Sequence, residues 1–390
     1  MNNKKIKIIY NISSTATSGG GMERVIVLKA NTLAEKYGYD VLMITTDQHG
    51  KKSFYPYSEN IRHIDLGLNY MEIAAKKPFL YSFLLYRIAL IKHRRALEKI
   101  LLQEKADIVV SLSRDEKEFL YKIKDGSKKV LETHRCLKPR APIEIKKAKS
   151  WLMKLKIYYR LIHESRLPKY YDKFVTLTEE DKTFWAEKNN VEVIPNPLPF
   201  ETEQFADYFA KRVLCVGRVS YDKGIDRLLN IWSRVSPDFP DWKLSLVGDV
   251  VDKELLMQIS NLKLTDTVEV LPPTTSILDE YLSSSIFVMT SRFEGLSMVL
   301  LEAASVGLPL VSYAFKCGPR DVINDGKDGY LMEEDDEDRF VEKLKLLMKD
   351  EKLRAEMGKQ SKINSRKFSS ESVMERWNNL FRKLINKDEK

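Results

Sequence analysis

Ile286-Phe287-Val288-Met289-Thr290-Ser291-Arg292-Phe293-Glu294-Gly295-Leu296-Ser297-Met298-Val299-Leu300-Leu301-Glu302-Ala303 is the stretch from which the fold is read. The run Ile286–Thr290 is short and apolar, the pattern of a buried strand. Gly295 opens a turn, and the apolar residues from Val299 to Ser305 read as a helix. Glu294 therefore stands at the carboxyl edge of a strand, with Glu302 about two helical turns farther on. In open α/β sheets, ligands gather at the carboxyl edges of parallel strands. A carboxylate there can hold sugar hydroxyls, while backbone amides of Gly295, Leu296 and Ser297 at the helix start hold phosphate. The spacing alone also fits a capping Glu followed by a solvated one, because helix starts attract acids.

The same strand–helix grammar extends in both directions. Strands are expected at Ile6–Ile12, Asp40–Thr46, Asp107–Leu112, Lys129–Thr133, Lys173–Leu177 and Val191–Ile194. Helices are expected at Glu23–Tyr37, Leu80–Gln103, Lys147–Leu167 and Glu179–Lys188. Ile194-Pro195-Asn196-Pro197-Leu198-Pro199 then stops helix and sheet alike, as a hinge between domains requires. The pattern restarts with strands at Arg212–Val216, Lys243–Val247, Val268–Leu271, Ile286–Thr290 and Leu310–Ser312. Helices lie between them and continue to Glu371–Ile385, where Val373, Trp377, Leu380, Phe381 and Leu384 share one side and need an apolar partner. This predicts domains at 1–195 and 196–370 and a terminal helix at 371–390.

With 390 residues, 43% of them hydrophobic, the chain has ample material for two cores. No stretch approaches the roughly 20 apolar residues of a membrane span. The start, Met1 to Tyr10, alternates like a strand rather than a secretory signal. The three cysteines, Cys136, Cys215 and Cys317, are far apart and show no paired metal spacing, so a reduced cytoplasmic compartment is expected. The net charge of +9 is concentrated between Lys138 and Lys173, where eleven Lys/Arg face three Asp/Glu with aromatic residues interleaved. Such a patch suits nucleic acid, an anionic membrane surface or a phosphate-bearing substrate, or is simply a solvated helix face. No nucleic-acid module is recognisable, so nucleic acid is not an expected partner.

Gly217-Arg218-Val219-Ser220-Tyr221-Asp222-Lys223-Gly224 follows the first strand of the second half. Two cations five residues apart, in a loop leading to a helix, can reach one diphosphate. Ser18-Gly19-Gly20-Gly21-Met22-Glu23-Arg24 joins the first strand to the first helix. Its glycines allow close backbone approach, but the third Gly of a dinucleotide fingerprint would fall at Arg24, which disfavours a nicotinamide oxidoreductase. His134 ends the strand Lys129–Thr133; an exposed loop histidine fits equally well. His49, His63, His93 and His163 have no such context and read as surface or packing residues. No Asp-x-Asp pair precedes a donor site, and the acidic run Glu333–Asp338 reads as helix capping.

Glu294-Gly295-Leu296-Ser297-Met298-Val299-Leu300-Leu301-Glu302-Ala303 resembles the paired-glutamate signature of the retaining glycosyltransferases of family 4. Gly307-Leu308-Pro309-Leu310-Val311-Ser312, Gly318-Pro319-Arg320-Asp321-Val322-Ile323 and Asp328-Gly329-Tyr330-Leu331 follow in that family's order. The resemblance is strong from about Val213 to Met332 and weaker over the first half. It implies an α/β GT-B fold: two doubly wound Rossmann-like domains facing across a cleft, with the terminal helix crossing back to the first. It implies donor-diphosphate contacts from Gly217, Arg218 and Lys223, and a Gly-rich loop (Gly20, Gly21) closing over donor and acceptor. Gly248 and Thr274 follow the next two strands, Thr274 where the family contacts the base. Glu294 would position the transferring sugar, Glu302 would hold the ribose, and His134 would face the donor sugar. The family typically uses no divalent metal. The expected partners are a nucleotide sugar and, from Cys317-Gly318-Pro319-Arg320, a UDP-sugar with a glycan or lipid-linked acceptor at a cytoplasmic, membrane-peripheral site. Another GT-B sugar-nucleotide enzyme, such as an epimerase, and a non-catalytic sugar-nucleotide binder remain alternatives.

Overall fold

The computed structural model describes residues 5–16, 21–68, 70–75, 79–136, 144–145, 148, 150–186, 188–249 and 253–386. Its strands are β1 Lys7–Ile12, β2 Asp40–Thr45, β3 Ile61–Asp65, β4 Ile108–Ser111, β5 Lys128–Glu132, β6 Lys173–Thr176, β7 Val191–Val193, β8 Arg212–Val216, β9 Lys243–Val247, β10 Val268–Leu271, β11 Ile286–Met289, β12 Leu310–Tyr313 and β13 Gly329–Met332. The longer helices are α1 Gly21–Glu35, α2 Phe79–Glu104, α3 Trp151–Ser165, α4 Ile225–Val235, α5 Lys253–Asn261, α6 Met298–Ser305, α7 Glu337–Lys349, α8 Glu351–Ser365 and α9 Ser370–Asn386.

The strands form two parallel sheets, seven-stranded in the order β3-β2-β1-β4-β5-β6-β7 and six-stranded in the order β10-β9-β8-β11-β12-β13. Helices cover both faces, so central strands such as β11 are buried along their whole length. In each sheet the order reverses once, between β1 and β4 and between β8 and β11. Chains leaving adjacent strands diverge at such a reversal, and the crevice they open is the usual ligand site. The expected GT-B arrangement of two doubly wound units is the one observed.

The terminal helix crosses back to the first unit. Val373, Met374, Trp377, Leu380, Phe381 and Leu384 pack in one core with Ile8, Tyr10, Ile26 and Leu33. The crossing at Pro197–Pro199 and the return crossing before α9 lie together, joined by Leu198 N donating to Phe368 O at 2.7 Å.

The fold corrects the sequence expectations in places. β3 was not foreseen, because Ile61-Arg62-His63-Ile64-Asp65 is a half-buried edge strand without a clean apolar run. The helix expected over Glu179–Lys188 ends at Lys182. Beyond it the chain turns so that Trp185 packs on Phe174 and donates from Nε1 to Asp181 Oδ2 at 3.0 Å. The helix expected from Lys147 starts at Trp151, where Ser150 Oγ caps Met153 N, and stops before Pro168. The acidic run does cap a helix: Asp336 accepts from Arg339 N at the start of α7.

Candidate functional site

The loops after β8, β9 and β11 are laced together by backbone approaches that only glycine permits. Gly224 has φ +64°, and a Cβ there would lie 2.1 Å from Thr290 O. Gly248 has φ +154°, and a Cβ there would lie 2.1 Å from Gly217 O. Arg292 completes the lacing, donating to both oxygens of Asp226 and, at 2.8 Å, to Tyr221 O. These contacts hold the Arg218–Lys223 loop and the Glu294 loop side by side at the sheet's reversal point.

Lys223 Nζ meets Glu294 Oε1 at 2.5 Å, and Ser291 Oγ donates to the same oxygen at 3.0 Å. Arg218 is exposed and makes no hydrogen bond or ion pair with the described residues. One cation is therefore committed to a carboxylate, and one is open to solvent in the cleft. A cavity of about 290 Å³ brings His134, Arg135 and Cys136 of the first unit against Arg218, Lys223, Glu294 and Gly295 of the second. At Gly295 the units touch: a Cβ would come within 2.7 Å of His134 O.

His134 is nearly buried, with 8% of its side chain exposed, and Nε2 lies 3.0 Å from Glu132 Oε1. That contact closes no directed hydrogen bond, and neither ring nitrogen has a hydrogen-bond partner among the described residues. Ser297 Oγ at the start of α6 is likewise buried without a partner among the described residues. Buried polar atoms are nearly always paired, so such atoms beside a cleft suit a ligand. Glu302 is buried on α6, and Tyr281 Oη donates to its Oε2 at 2.7 Å. Burial pushes the Glu302 carboxyl up, opposed by the Tyr281 hydroxyl and by Arg24 and Lys223.

The remaining expected residues are more scattered. Gly21 starts α1 against α6, where a Cβ would come 2.9 Å from Met298 Cγ. Gly20, with Ser18 and Gly19, lies outside the described residues. Leu296 is buried beside Gly295. Thr274 sits exposed beyond β10, outside the cavity, and its Oγ1 accepts from Ser276 N at 3.0 Å. Asn196, in the crossing, is buried and donates to Met298 Sδ at 3.4 Å. Arg320 donates to Ala314 O of its own loop and to Glu333 beyond β13. Of the other histidines, His93 is a packing residue, fully buried and bonded to Tyr70 Oη at 3.1 Å.

The cysteines require a correction. Cys136 and Cys317 are 181 residues apart in sequence but form a disulfide across the cleft, with Cα atoms 6.3 Å apart. Cys215 is buried and free. Asp181 lies near both sulfurs, the only such metal-ligand trio among the described residues. Sulfurs joined to each other carry no thiolate for a metal. Sequence reasoning also missed the contacts that seat the second unit on the first: Glu180 Oε2 accepts from Cys317 N at 2.9 Å, and Asp321 Oδ1 from Glu179 N at 3.0 Å. It missed Lys29 and Glu132 too, a buried pair whose one local signal is an acid closing the apolar run Val130-Leu131.

Of the basic segment, Lys138, Arg140, Lys146, Lys147 and Lys149 lie outside the described residues. α3 is described and buries none of its residues. Trp151, Leu155 and Tyr159 are 71%, 57% and 71% exposed. No helix among the described residues is long and apolar enough to cross a membrane.

Comparison with known proteins bears on the family and the fold. Residues 203–363 match the family of glycosyl transferases group 1. The chain is 37% identical over 220 residues to the amylovoran biosynthesis glycosyltransferase AmsD of Erwinia amylovora, covering 54% of this chain and 62% of that one. It is 24% identical to an alpha-1,4-N-acetyl-D-galactosaminyltransferase of Campylobacter jejuni named for a PP-undecaprenol-linked saccharide, over 98% of this chain and 99% of that one. Among solved structures, a mutant of S. aureus TarM in complex with fondaparinux, alpha-GlcNAc-glycerol and UDP shares the fold with a TM-score of 0.73, at 17% identity and covering 96% of this chain and 99% of that one. An uncharacterized glycosyltransferase of Haemophilus influenzae is 30% identical over 93% of this chain and 96% of its own length. With both units aligned to that relative end to end, the chain belongs to the glycosyl transferases group 1 family.

Proposed function

We propose that this chain is a retaining glycosyltransferase that moves a sugar from a UDP-sugar to a glycan or lipid-linked saccharide in surface polysaccharide synthesis. The observation that carries this is the meeting of Arg218, Lys223 and Glu294, on loops leaving the adjacent strands β8 and β11 at a sheet reversal, with His134 of the first unit at one cleft. The names of the amylovoran and PP-undecaprenol relatives and the UDP in the TarM complex support the donor and acceptor classes.

The residues divide the work by chemistry. Arg218 and Lys223 hold the donor diphosphate and stabilise the charge that grows on it as the anomeric C–O bond breaks. Lys223 is released from Glu294 as the diphosphate enters, which frees the carboxylate for the hydroxyls of the transferring sugar. Glu302 holds the ribose. Gly217, Gly248 and the amides of Gly295, Leu296 and Ser297 line the phosphate path, with Gly21 at the start of α1 beside it and Thr274 at the base end. The acceptor hydroxyl attacks on the face the diphosphate leaves, and its proton passes to the departing phosphate oxygen, so the anomeric configuration is retained. The units divide at 195/196, the first holding the acceptor and the second the donor. Incubation with a panel of nucleotide sugars and candidate acceptors tests the proposal: UDP release that depends on acceptor is expected, and hydride transfer or epimerisation without transfer would overturn it.

No metal is required in this scheme, because two cations already neutralise the diphosphate. Transfer is expected to be unchanged by EDTA. Loss on chelation, restored by magnesium or manganese, would show that the diphosphate is held differently.

The unburied face of α3 suits reversible docking on anionic lipid, with apolar Trp151, Leu155 and Tyr159 beside Lys154, Lys156 and Arg160. Each surface cation contributes about 1 kcal/mol near such a membrane. Co-sedimentation with anionic vesicles at low salt, fading at high salt, is expected. Equal binding to neutral vesicles, or no binding to either kind, would leave α3 as a solvated helix.

A further inference from the structure

We propose that Glu132 and Lys29 are positioning residues for His134, holding its ring in the orientation that meets the transferring sugar. This rests on the reading that His134 faces that sugar. Glu132 closes β5, and both it and Lys29 of α1 have only 1% of their side chains exposed. Lys29 Nζ donates to Oε1 at 2.7 Å and to Oε2 at 2.6 Å. The same ammonium sits 3.6 Å above the Trp377 ring, so α9 closes over the pair from behind. Glu132 Oε1 is then shared, lying 3.0 Å from His134 Nε2 on the cleft side.

A pair like this is poor value as a stabiliser. Desolvating two charges is expensive, and well-packed apolar residues of similar volume often do as well or better. A fully buried Lys–Glu pair beneath a reaction centre therefore calls for another role. The pair has the chemistry for one. Burial would push the Glu132 carboxyl up, but the charge of Lys29, with His134, holds it well below the usual carboxylate range. It is thus a fixed anion beside Nε2. A fixed anion there favours the proton on Nε2 and leaves Nδ1 as the nitrogen for the sugar. In the structure the contact is close but undirected, and both ring nitrogens lack hydrogen bonds among the described residues. A small rotation of the ring on donor binding would convert the contact into a hydrogen bond. Catalytic contacts commonly tighten in this way only in the substrate complex.

A positioning role predicts that Glu132 acts only through His134, whereas a packing role does not. The test uses the full chain and compares Glu132→Gln, His134→Ala and the combination of the two, measuring kcat, donor KM, UDP affinity and melting temperature. Glu132→Gln strands the Lys29 charge, so Lys29→Met/Glu132→Gln, in which neither charge remains, is measured beside it. Both variants with an intact His134 are expected to lose about 10- to 100-fold in kcat, the loss that a misplacement of about 1 Å brings. Donor KM and UDP affinity are expected to stay at the unmutated values. In the His134→Ala background, Glu132→Gln is expected to bring no further loss, because residues acting as a unit are not additive. If His134→Ala is crippled while Lys29→Met/Glu132→Gln turns over normally, the positioning role is wrong although the reading of His134 stands. If Glu132→Gln lowers kcat by the same factor with or without His134, the pair is structural. If His134→Ala itself turns over normally, the reading of His134 falls and this inference with it.

Discussion

Arg218→Ala is expected to lower turnover by about 10²–10³-fold, the loss seen when one preorganised partner of a developing oxyanion is removed. The fold should be untouched, since Arg218 is exposed and makes no hydrogen bond or ion pair with the described residues. A charge-assisted contact to the diphosphate is worth about 1.5–3 kcal/mol, so UDP should also bind roughly tenfold to a hundredfold more weakly. Lys223→Ala should match it in turnover but differ in stability. Lys223 is paired with Glu294 at 2.5 Å, and its loss leaves that carboxylate, 15% exposed, without its counter-charge. The Lys223 variant should therefore melt lower than the Arg218 variant. Steady-state transfer, calorimetric titration of UDP and thermal melting of both check this. Near-normal transfer by both would place the donor site elsewhere.

Glu294→Gln and Glu302→Gln should fail in different ways. Glu294→Gln is expected to lower kcat strongly, because it weakens the grip on the transferring sugar. It should not weaken UDP, which has no such sugar. UDP binding should hold or tighten, since Lys223 no longer has to leave a carboxylate before meeting the diphosphate. Glu302→Gln should instead weaken UDP roughly tenfold to a hundredfold, the value of a lost bond to a charged acceptor, because the ribose is present in UDP as in the donor. Its burial against Tyr281 makes Gln the suitable replacement, keeping the volume and an acceptor oxygen for the Tyr281 hydroxyl. Titration of UDP into the two variants and the unmutated protein separates these outcomes. Equal weakening by both, or the reverse order, would overturn the assigned roles even in a working glycosyltransferase.

Much of the architecture was legible because its signals are local. Apolar runs such as Ile286–Met289 are strands wherever helices can cover both faces. Three prolines within five residues cannot continue a helix or a central strand. Glycines at Gly224 and Gly248 mark backbone approaches that a side chain would block. The apolar side of α9 announced a partner surface, and the family resemblance named the first unit as that surface. Legibility failed where competing local forces nearly balance. β3 is half exposed, and its alternation is weak. The helix from Glu179 gave way at Lys182 because burying Trp185 against Phe174 needs a turn there.

The residues alone sufficed for two α/β units, the proline-rich crossing between them, and loops with the composition to hold a diphosphate and a sugar. Periodicity and turn chemistry act within about a dozen residues, and those features need no more. Pairings across the fold had to wait for the folded chain. Lys223 reaches Glu294 across 71 residues, Lys29 reaches Glu132 across 103, and Cys136 meets Cys317 across 181. Nothing near either member of such a pair marks the other. Each is brought together by sheet order and by the seating of one unit on the other, and those follow from the burial of whole faces rather than from any short stretch of sequence.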